Sequence, residues 1–362
     1  MRPLYDGYIY YIQRNGGINR YFNRLIDHLP EDVEPALSLP PVCDSALPSN
    51  PRLSLRRYSP FRPERISKRI APWYYTLAPL LGRADVIHPT YYATFARDHF
   101  RALSIPLVVT IHDMTHEIFP ELADPDGFHA EQKRRSIEAA SAIICVSENT
   151  RRDLLERYPE VEPIVTVIPL AADLTPADAN PAVEPSGFLF VGSRAPYKNF
   201  DGALKALAKA VTADSDINMI VVGPAPDDRE LKLISDLGLN GNVRFVGWID
   251  DAGLRDLYAG SLALIYPSLY EGFGLPPLEA MTAGTVAVVS NSSSLPEVVG
   301  DAGILFDPTK IDDLAEIMIG LQTGRIDRAP WIARGAARSQ AFSWETTARM
   351  TLDVYRSASA RK

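Results

Sequence analysis

In the second half of the chain, apolar and polar residues segregate into blocks. Six short runs are almost wholly apolar: "GFLFVG" (187–192), "NMIVVG" (218–223), "NVRFVG" (242–247), "LALIYPS" (262–268), "TVAVVSN" (285–291) and "GILFDP" (303–308). They are rich in β-branched and aromatic residues, and each closes on Gly, Pro, Ser or Asn. Runs of this length without polar alternation predict strands buried on both faces. Between them, "NFDGALKALAKAV" (199–211), "DRELKLISDLG" (228–238) and "DDAGLRDLYAG" (250–260) have helical spacing. Buried strands alternating with helices predict a parallel sheet with helices on both faces, a Rossmann-like domain.

The first half repeats the scheme less regularly. "ADVIHPT" (84–90), "IPLVVTIHD" (105–113), "SAIICVSEN" (141–149) and "PIVTVIPLA" (163–171) read as buried strands, and "GGINRYFNRLIDHLP" (16–30) and "AEQKRRSIEAASA" (130–142) as helices. "ADLTPADANPAVEPSG" (172–187) has no hydrophobic period and reads as a linker. Three helical stretches fill residues 310–358, and the last, "SWETTARMTLDVYRSA" (343–358), has no strand after it to serve. The expected architecture is α/β: two doubly wound Rossmann-like domains, 1–175 and 176–342, facing a cleft. Residues 343–362 would form a helix crossing back to the first domain. Ligands of open parallel sheets bind beyond the carboxyl ends of the strands, so chemistry is expected in the turns that follow them.

Composition narrows the class. With 362 residues, 46% hydrophobic and 23% charged, the chain is long enough for two soluble domains. Its formal net charge of −8 does not favour a nucleic-acid partner. The two cysteines, Cys43 and Cys145, make neither a disulfide framework nor a metal-ligand spacing, as expected in a reducing compartment. The N-terminus lacks a signal-peptide pattern, and no stretch of about 18 apolar residues occurs. A cytoplasmic protein is expected. One region departs from the acidic total: residues 52–69 hold six arginines and one lysine against a single acid, Glu64. Tyr58, Phe61, Trp73, Tyr74 and Tyr75 lie among or just after them. A basic, aromatic surface suits an anionic bilayer, so residues 52–75 are candidates for peripheral contact with the inner face of a membrane. A solvated helix face whose aromatics pack on the sheet is the plainer alternative, and both stay open.

Among the post-strand turns, "EGFGLPPLEAMTAG" (271–284) places Glu271 and Glu279 eight positions apart. Gly272 and Gly274 permit a close backbone approach, and Pro276 and Pro277 suit the first turn of a helix. A helix amino end favours a phosphate, and the two carboxylates are set to accept hydroxyl hydrogen bonds around it. A nucleotide sugar, with hydroxyls at both ends, fits that pattern. Acidic residues near a helix start are also common structural features. "VGSRAPYKN" (191–199) adds Gly192, Ser193 and two cations, Arg194 and Lys198, able to neutralise a diphosphate leaving group or simply to be solvated. "RNGGINRY" (14–21) gives a third glycine turn at Gly16 and Gly17, and "VVTIHDMTHEIFPE" (108–121) places His112 just after a strand. There is no P-loop, nucleophile elbow or Cys/His metal cluster, and neither domain's first strand is followed by G-x-G-x-x-G. The Asp-Asp pairs at 227–228, 250–251 and 312–313 read as helix caps.

These stretches together carry a resemblance. "PSLYEGFGLPPLEAMTAG" resembles the glutamate–seven residues–glutamate motif of retaining glycosyltransferases of family 4, which have the GT-B fold. "VGSRAPYKN", "VSENTRRDL" (146–154), "GGINRYFNRLI" (16–26), "IHDMTHEIFPE" and "SNSSSLPEVVGDAGILFDP" (290–308) are similar to the same family in the same order. Within it, the chain looks most like bacterial transferases that build lipopolysaccharide O-chains and exopolysaccharides, several of which use GDP-mannose. The resemblance implies that Glu271 lies beside the transferred sugar, Glu279 binds the ribose, and Arg194 and Lys198 hold the diphosphate. It implies that the amides of Phe273, Gly274 and Leu275 line the sugar and phosphate site, and that Gly16 and Gly17 border the diphosphate. His112 would contact the sugar, and the base would lie at Val246–Gly247. Many members carry an arginine directly after the glycine, where this chain has Ser193 and places Arg194 one position later. The implied activity is transfer of a hexose, mannose from GDP-mannose, to a saccharide acceptor of the lipid-diphosphate-linked kind. Retention would follow from front-face attack, with no metal and no cofactor beyond the nucleotide sugar. A nucleotide-sugar 2-epimerase of the same fold and a non-catalytic binder of sugar nucleotides are the rival readings.

Overall fold

A computed structural model describes the chain apart from residues 14–15, 40–44, 58, 60–61, 64, 67–68, 70–83, 93–104, 175–184 and 361–362. Two compact units are present: Met1–Leu170 together with Ser343–Lys362, and Ala171–Phe342. Most of the linker stretch 172–187 lies outside the described residues.

In the first unit, β1 (Pro3–Tyr5), β2 (Ala36–Leu39), β3 (Ser54–Arg57) and β4 (Val86–His88) form a parallel sheet in the order β3-β2-β1-β4. A parallel sheet of β5 (Val108–Ile111), β6 (Ala142–Cys145) and β7 (Val165–Val167) continues it through a bridge between Ile87 and Leu107. The block pattern of the sequence misses β1, β2 and β3, because runs of three or four residues do not stand out from their surroundings. β7 is shorter than the apolar stretch around it. Pro159–Ile164 coil into a 3-10 turn instead, and Pro169, with no N–H to donate, follows closely.

The C-terminal helix, Trp344–Ala360, belongs to this first unit. Leu352, Tyr355 and Ala358 recur at helical spacing and join Leu29, Val33, Val86, Val108 and Ile144 in one buried cluster. A polar seam runs through the same contact. The Tyr355 hydroxyl lies 3.0 Å from that of Tyr5 and 2.6 Å from Nδ1 of His88. Nε2 of His88 pairs with the Thr110 hydroxyl at 2.9 Å, and Thr110 in turn meets the Tyr21 hydroxyl at 3.1 Å. Burial pushes the His88 imidazole down to about 3, and the nearby His112 adds to the effect. The ring is therefore neutral, with one nitrogen donating and one accepting, and two hydroxyl partners satisfy both.

In the second unit, β8 (Phe188–Val191), β9 (Met219–Val222), β10 (Val243–Gly247), β11 (Ala263–Tyr266), β12 (Val286–Ser290) and β13 (Ile304–Phe306) are all parallel. Their order, β10-β9-β8-β11-β12-β13, is the doubly wound 3-2-1-4-5-6 arrangement. Phe188, Phe190, Met219, Val221, Ile265 and Val288 interlock beneath the helix Phe200–Ala213 through Leu204 and Leu207. In both units the direction of winding reverses next to the first strand, at β1/β4 and at β8/β11.

No described helix is long and apolar enough to cross a membrane. Of the basic, aromatic stretch, Tyr58, Phe61, Glu64 and residues 70–83, with Trp73, Tyr74 and Tyr75, lie outside the described residues. Before them, β3 is an edge strand with Leu55 exposed.

Candidate functional site

The reversal point of the second sheet brings together the turns after β8 and β11. β8 ends on Gly192, whose φ of 128° is open only to glycine, and β9 ends on Gly223 at 149°. A Cβ on Gly223 would come within 2.4 Å of the Gly192 carbonyl oxygen, so the two strand ends close on each other with no room for a side chain. Past Gly192 and the exposed Ser193, a 3-10 turn over Pro196–Lys198 aims Lys198 at the neighbouring loop. There Nζ of Lys198 donates to Oε1 and Oε2 of Glu271, at 2.8 and 2.7 Å. The side chains are 18% and 9% exposed, so the pair is largely desolvated. Nζ also lies 5.3 Å from the ring centre of Tyr197 and 5.9 Å from that of Tyr266. Burial and then the charge of Glu271 push the Tyr266 phenol well up, which keeps it protonated.

Serine side chains fix the Glu271 turn. The Glu271 N–H donates to Oγ of Ser293 at 2.8 Å, and the Ser294 hydroxyl donates to the carbonyls of Glu271 (2.9 Å) and Phe273 (2.6 Å). Ser290 and Ser292 both donate to the Ser268 carbonyl. Ser293 has a φ of 50°, and Asn199, which donates to the carbonyls of Pro267 and Pro308, has 55°. They are the two left-handed non-glycine residues among those described, and both brace this pair of loops. Strain of about 1–3 kcal/mol per such residue persists where the surroundings impose it, typically at functional sites. The serine run is visible in the sequence within the family-like stretch 290–308. Its function as a brace is not, because the partners are backbone N–H and carbonyl groups in another loop.

The helix after the turn spans Leu275–Thr282, longer at its start than the motif alone indicates. Gly274 precedes it with φ 117°, and a Cβ there would strike Leu295 at 2.8 Å. Pro276 and Pro277 remove two N–H groups, so the donors at the helix mouth are the amides of Phe273, Gly274 and Leu275. Glu279 lies in the second helical turn, as the fifth helical residue. It is 3% exposed, and the Tyr258 hydroxyl donates to it at 3.1 Å. At the carboxyl end of β10, Val246 and Gly247 (φ 72°) are half-buried, and the Gly247 carbonyl accepts from Gly223 N–H at 3.1 Å.

Arg194 takes a different position from the one the motif implies. Its Nε and Nη2 pair with the two oxygens of Glu230 at 2.7 and 3.0 Å, while Nη1 and Nη2 donate to the carbonyls of Pro224 (3.0 Å) and Ala225 (2.9 Å). The guanidinium is also 5.2 Å from the Phe245 ring centre and 5.7 Å from that of Phe200. Arg194 and Glu230 are 5% and 4% exposed. Glu230 simultaneously forms a capping box with Asp227 at the start of the helix Asp228–Asp236. Here Arg194 is a strut between loops rather than a group presented to a phosphate.

His112, Gly16 and Gly17 belong to the first unit. Gly17 opens the helix Gly17–Asp27 with Gly16 before it. The His112 N–H donates to the Tyr92 hydroxyl at 3.1 Å, and its ring stands edge-on to Tyr21 at 5.0 Å. Burial pushes this imidazole down to about 4, Asp113 opposing and Lys133 assisting. Lys133, fully buried, donates to the Asp113 carbonyl (3.0 Å) and to Glu117 (2.7 Å), fastening the turn after β5. No group of three or more His, Cys, Asp or Glu side chains able to hold a metal ion occurs among the described residues.

The chain is similar to known proteins in sequence and in fold. Residues 15–175 match the family described as Glycosyltransferase Family 4, and residues 175–338 match Glycosyl transferases group 1. The chain is 33% identical over 267 residues to O-antigen chain mannosyltransferase B of Escherichia coli, covering 69% of this chain and 70% of that protein. Its fold matches sucrose-phosphate synthase of Thermosynechococcus elongatus at a TM-score of 0.79 and 20% identity, covering 100% and 99% of the two chains. HepE of Anabaena, solved with UDP and glucose, matches at 0.72 and 19% identity, covering 97% and 98%.

Proposed function

Because the chain belongs to the glycosyltransferases of family 4, with the GT-B fold, we propose that it transfers mannose from GDP-mannose to a growing saccharide with retention at the sugar carbon. The observation that carries this reading is the buried Lys198–Glu271 pair at the reversal point of the second sheet. It is the place where doubly wound sheets take nucleotides, and a cation there would oppose the charge that develops on a departing diphosphate.

Glu271 would lie beside the transferred sugar and hold Lys198 in line. The amides of Phe273, Gly274 and Leu275 would receive phosphate and sugar oxygens, with Glu279 accepting from the ribose and Val246–Gly247 beneath the base. Gly16 and Gly17 would border the diphosphate and His112 would contact the sugar. The departing phosphate oxygen takes the acceptor's proton as the new glycosidic bond forms on the same face. Catalysis is then positioning plus charge stabilisation, with Lys198 in place of a metal ion. The choice of mannose rests on the similarity to the E. coli O-antigen mannosyltransferase. The name of that relative, an O-antigen chain mannosyltransferase, also favours a saccharide acceptor; that this acceptor is lipid-diphosphate-linked and met at the inner membrane face is part of the proposal.

The test is release of GDP and a new α-linked mannoside from GDP-mannose and a mannoside acceptor, in the presence of EDTA. The linkage is read from its anomeric NMR signal. An inverted anomer, a strict metal requirement, or turnover only of UDP-sugars would each overturn the corresponding part of the proposal. Conversion of the nucleotide sugar alone to its 2-epimer would replace it.

A further inference from the structure

The helix Phe128–Ala139 carries three consecutive cations, Lys133, Arg134 and Arg135, and only the first is withdrawn from water. Arg134 and Arg135 are 43% and 49% exposed and pair with Glu131 along the surface. Lys133 is fully buried. With Ser136 and Ile137 it makes up the inward face of the helix, at the i, i+3 and i+4 positions that a core-facing helix normally fills with apolar side chains. Stripping an ammonium of water is costly, and packed hydrophobic side chains often stabilise a core as well as a buried ion pair does. Stability alone therefore gives no reason for a lysine here.

The contacts of Lys133 supply another reason. Nζ donates to the Asp113 carbonyl at 3.0 Å and to Oε2 of Glu117 at 2.7 Å, and it lies 5.0 Å from the ring centre of Tyr92. On the same face of the helix, the Ser136 hydroxyl donates to the Tyr92 carbonyl at 2.9 Å. The helix thus holds Tyr92 by ring and by backbone, and the Tyr92 hydroxyl in turn accepts the His112 N–H at 3.1 Å. His112 is gripped from two directions: its own N–H by Tyr92, and the carbonyl of the next residue by Lys133. Ile111, Met114 and Ile137 join Tyr92 in one buried cluster, which leaves little room for the turn to shift.

We propose that Lys133 is a positioning residue for sugar transfer, fixing through Tyr92 and the Asp113 carbonyl the turn that presents His112. The proposal rests on the reading in which His112 contacts the transferred sugar, and it identifies what sets that contact. A hydrogen bond to a sugar hydroxyl assists transfer only if its geometry is set beforehand, and a displacement of about 1 Å can cost as much as 10²-fold. An ammonium suits the task because a single atom meets a carbonyl, a carboxylate and a ring, groups from the segments that follow β4 and β5. Its charge has a second effect. Burial holds the His112 imidazole low, Asp113 favours its charged form, and Lys133 opposes it. With His88 also facing it and the rings of Tyr21 and Phe22 against it, His112 stays neutral, able both to donate and to accept a hydrogen bond.

The experiment measures kcat and KM for GDP-mannose, with a mannoside acceptor, in the whole protein. The variants are Tyr92→Phe and the pair Lys133→Met with Glu117→Gln, each alone and combined with His112→Ala. Changing Glu117 together with Lys133 avoids leaving a buried carboxylate without its partner, and Tyr92→Phe removes a single oxygen. Folding of each is checked by circular dichroism. The pair variant should lower kcat by about ten- to hundredfold and Tyr92→Phe by less, with KM for the donor within about twofold of wild type. In the His112→Ala background neither should lower kcat further, because both act through that ring. A lysine that served only the fold would show no such dependence on His112. An unchanged kcat in the folded pair variant overturns the proposal; if that variant does not fold, an unchanged kcat in Tyr92→Phe does so. An equal further loss in the His112→Ala background also overturns it, while leaving the transferase reading intact. His112→Ala as fast as wild type would remove the sugar contact and this proposal with it. A wild type that transfers no sugar would remove the transferase reading and the proposal together.

Discussion

Lys198 donates to both carboxylate oxygens of Glu271, from a loop 73 positions away in the chain. The two residues read separately in the sequence, one as a phosphate cation and one as an acid beside the sugar, form a single charge pair. Lys198→Ala and Glu271→Gln should each therefore lower transfer by about 10²-fold or more, as for loss of a preorganised charge stabiliser. The double variant should be little worse than the poorer single one, because residues acting as a unit are not additive. Initial rates on variants with native circular dichroism decide it. An undiminished rate in folded Lys198→Ala would sink the assignment.

Arg194 gives the opposite expectation. Cutting its buried, bidentate pair with Glu230 leaves an uncompensated carboxylate, so Arg194→Ala should destabilise the second unit by about 3–5 kcal/mol. Lysine would restore the charge but not the fork, and should recover only part of that loss. At a temperature where the variant is folded, transfer should fall no more than a few-fold. Denaturant melts and kinetics on the same samples separate the two effects, and a stable but inactive Arg194→Ala would return this residue to the diphosphate.

Ser293 holds a left-handed backbone in order to accept the Glu271 N–H. Glycine there relieves strain but removes the acceptor, so Ser293→Gly should change stability by less than about 1 kcal/mol while lowering kcat. Ser294→Ala should cost both, since its hydroxyl bridges the Glu271 and Phe273 carbonyls. Equal kcat in Ser293→Gly and wild type would show that the turn holds without its brace.

Stability should fall with acid through the histidines of the first unit. His88 and His112 are held neutral, with values lowered by burial to about 3 and about 4, whereas the unfolded chain protonates both near 6.5. Between those limits the unfolded state binds more protons, so stability is lost as pH drops below about 6.5. Asp6 works the other way: burial raises its carboxyl to about 6, so it favours folding at low pH and loses that contribution as pH rises from about 4 to about 6. With two histidines against one aspartate, the net slope should be acid-labile. His88→Gln should flatten the dependence of Tm on pH and Asp6→Asn should steepen it; parallel curves for all three proteins would exclude this origin.

The second unit was legible in the sequence because its six strands are long apolar blocks set off by glycine and proline. The first was only half legible. β1, β2 and β3 are too short to form blocks, and two of the groups that matter there, Asp6 and Lys133, look like ordinary surface charges until the fold buries them. Turn residues such as Glu271, Gly274 and Lys198 could be found because their spacing follows strand ends. Partnerships could not: that Arg194 turns to Glu230, or that Ser293 meets Glu271, depends on loops brought together by strand order.

The contact between Tyr5 and Tyr355 spans 350 positions, and it sets a schedule. On the ribosome, the seven described strands of the first unit are made by residue 167, yet Leu29, Val33, Val86 and Val108 lack the cover of Leu352, Tyr355 and Ala358 until the helix Trp344–Ala360 emerges. At about 5–20 residues per second that interval is roughly 10–40 s. The second unit has its whole sequence available in the meantime and is able to close first. The early half of the chain thus waits, with apolar surface open to chaperones, for the late half to finish.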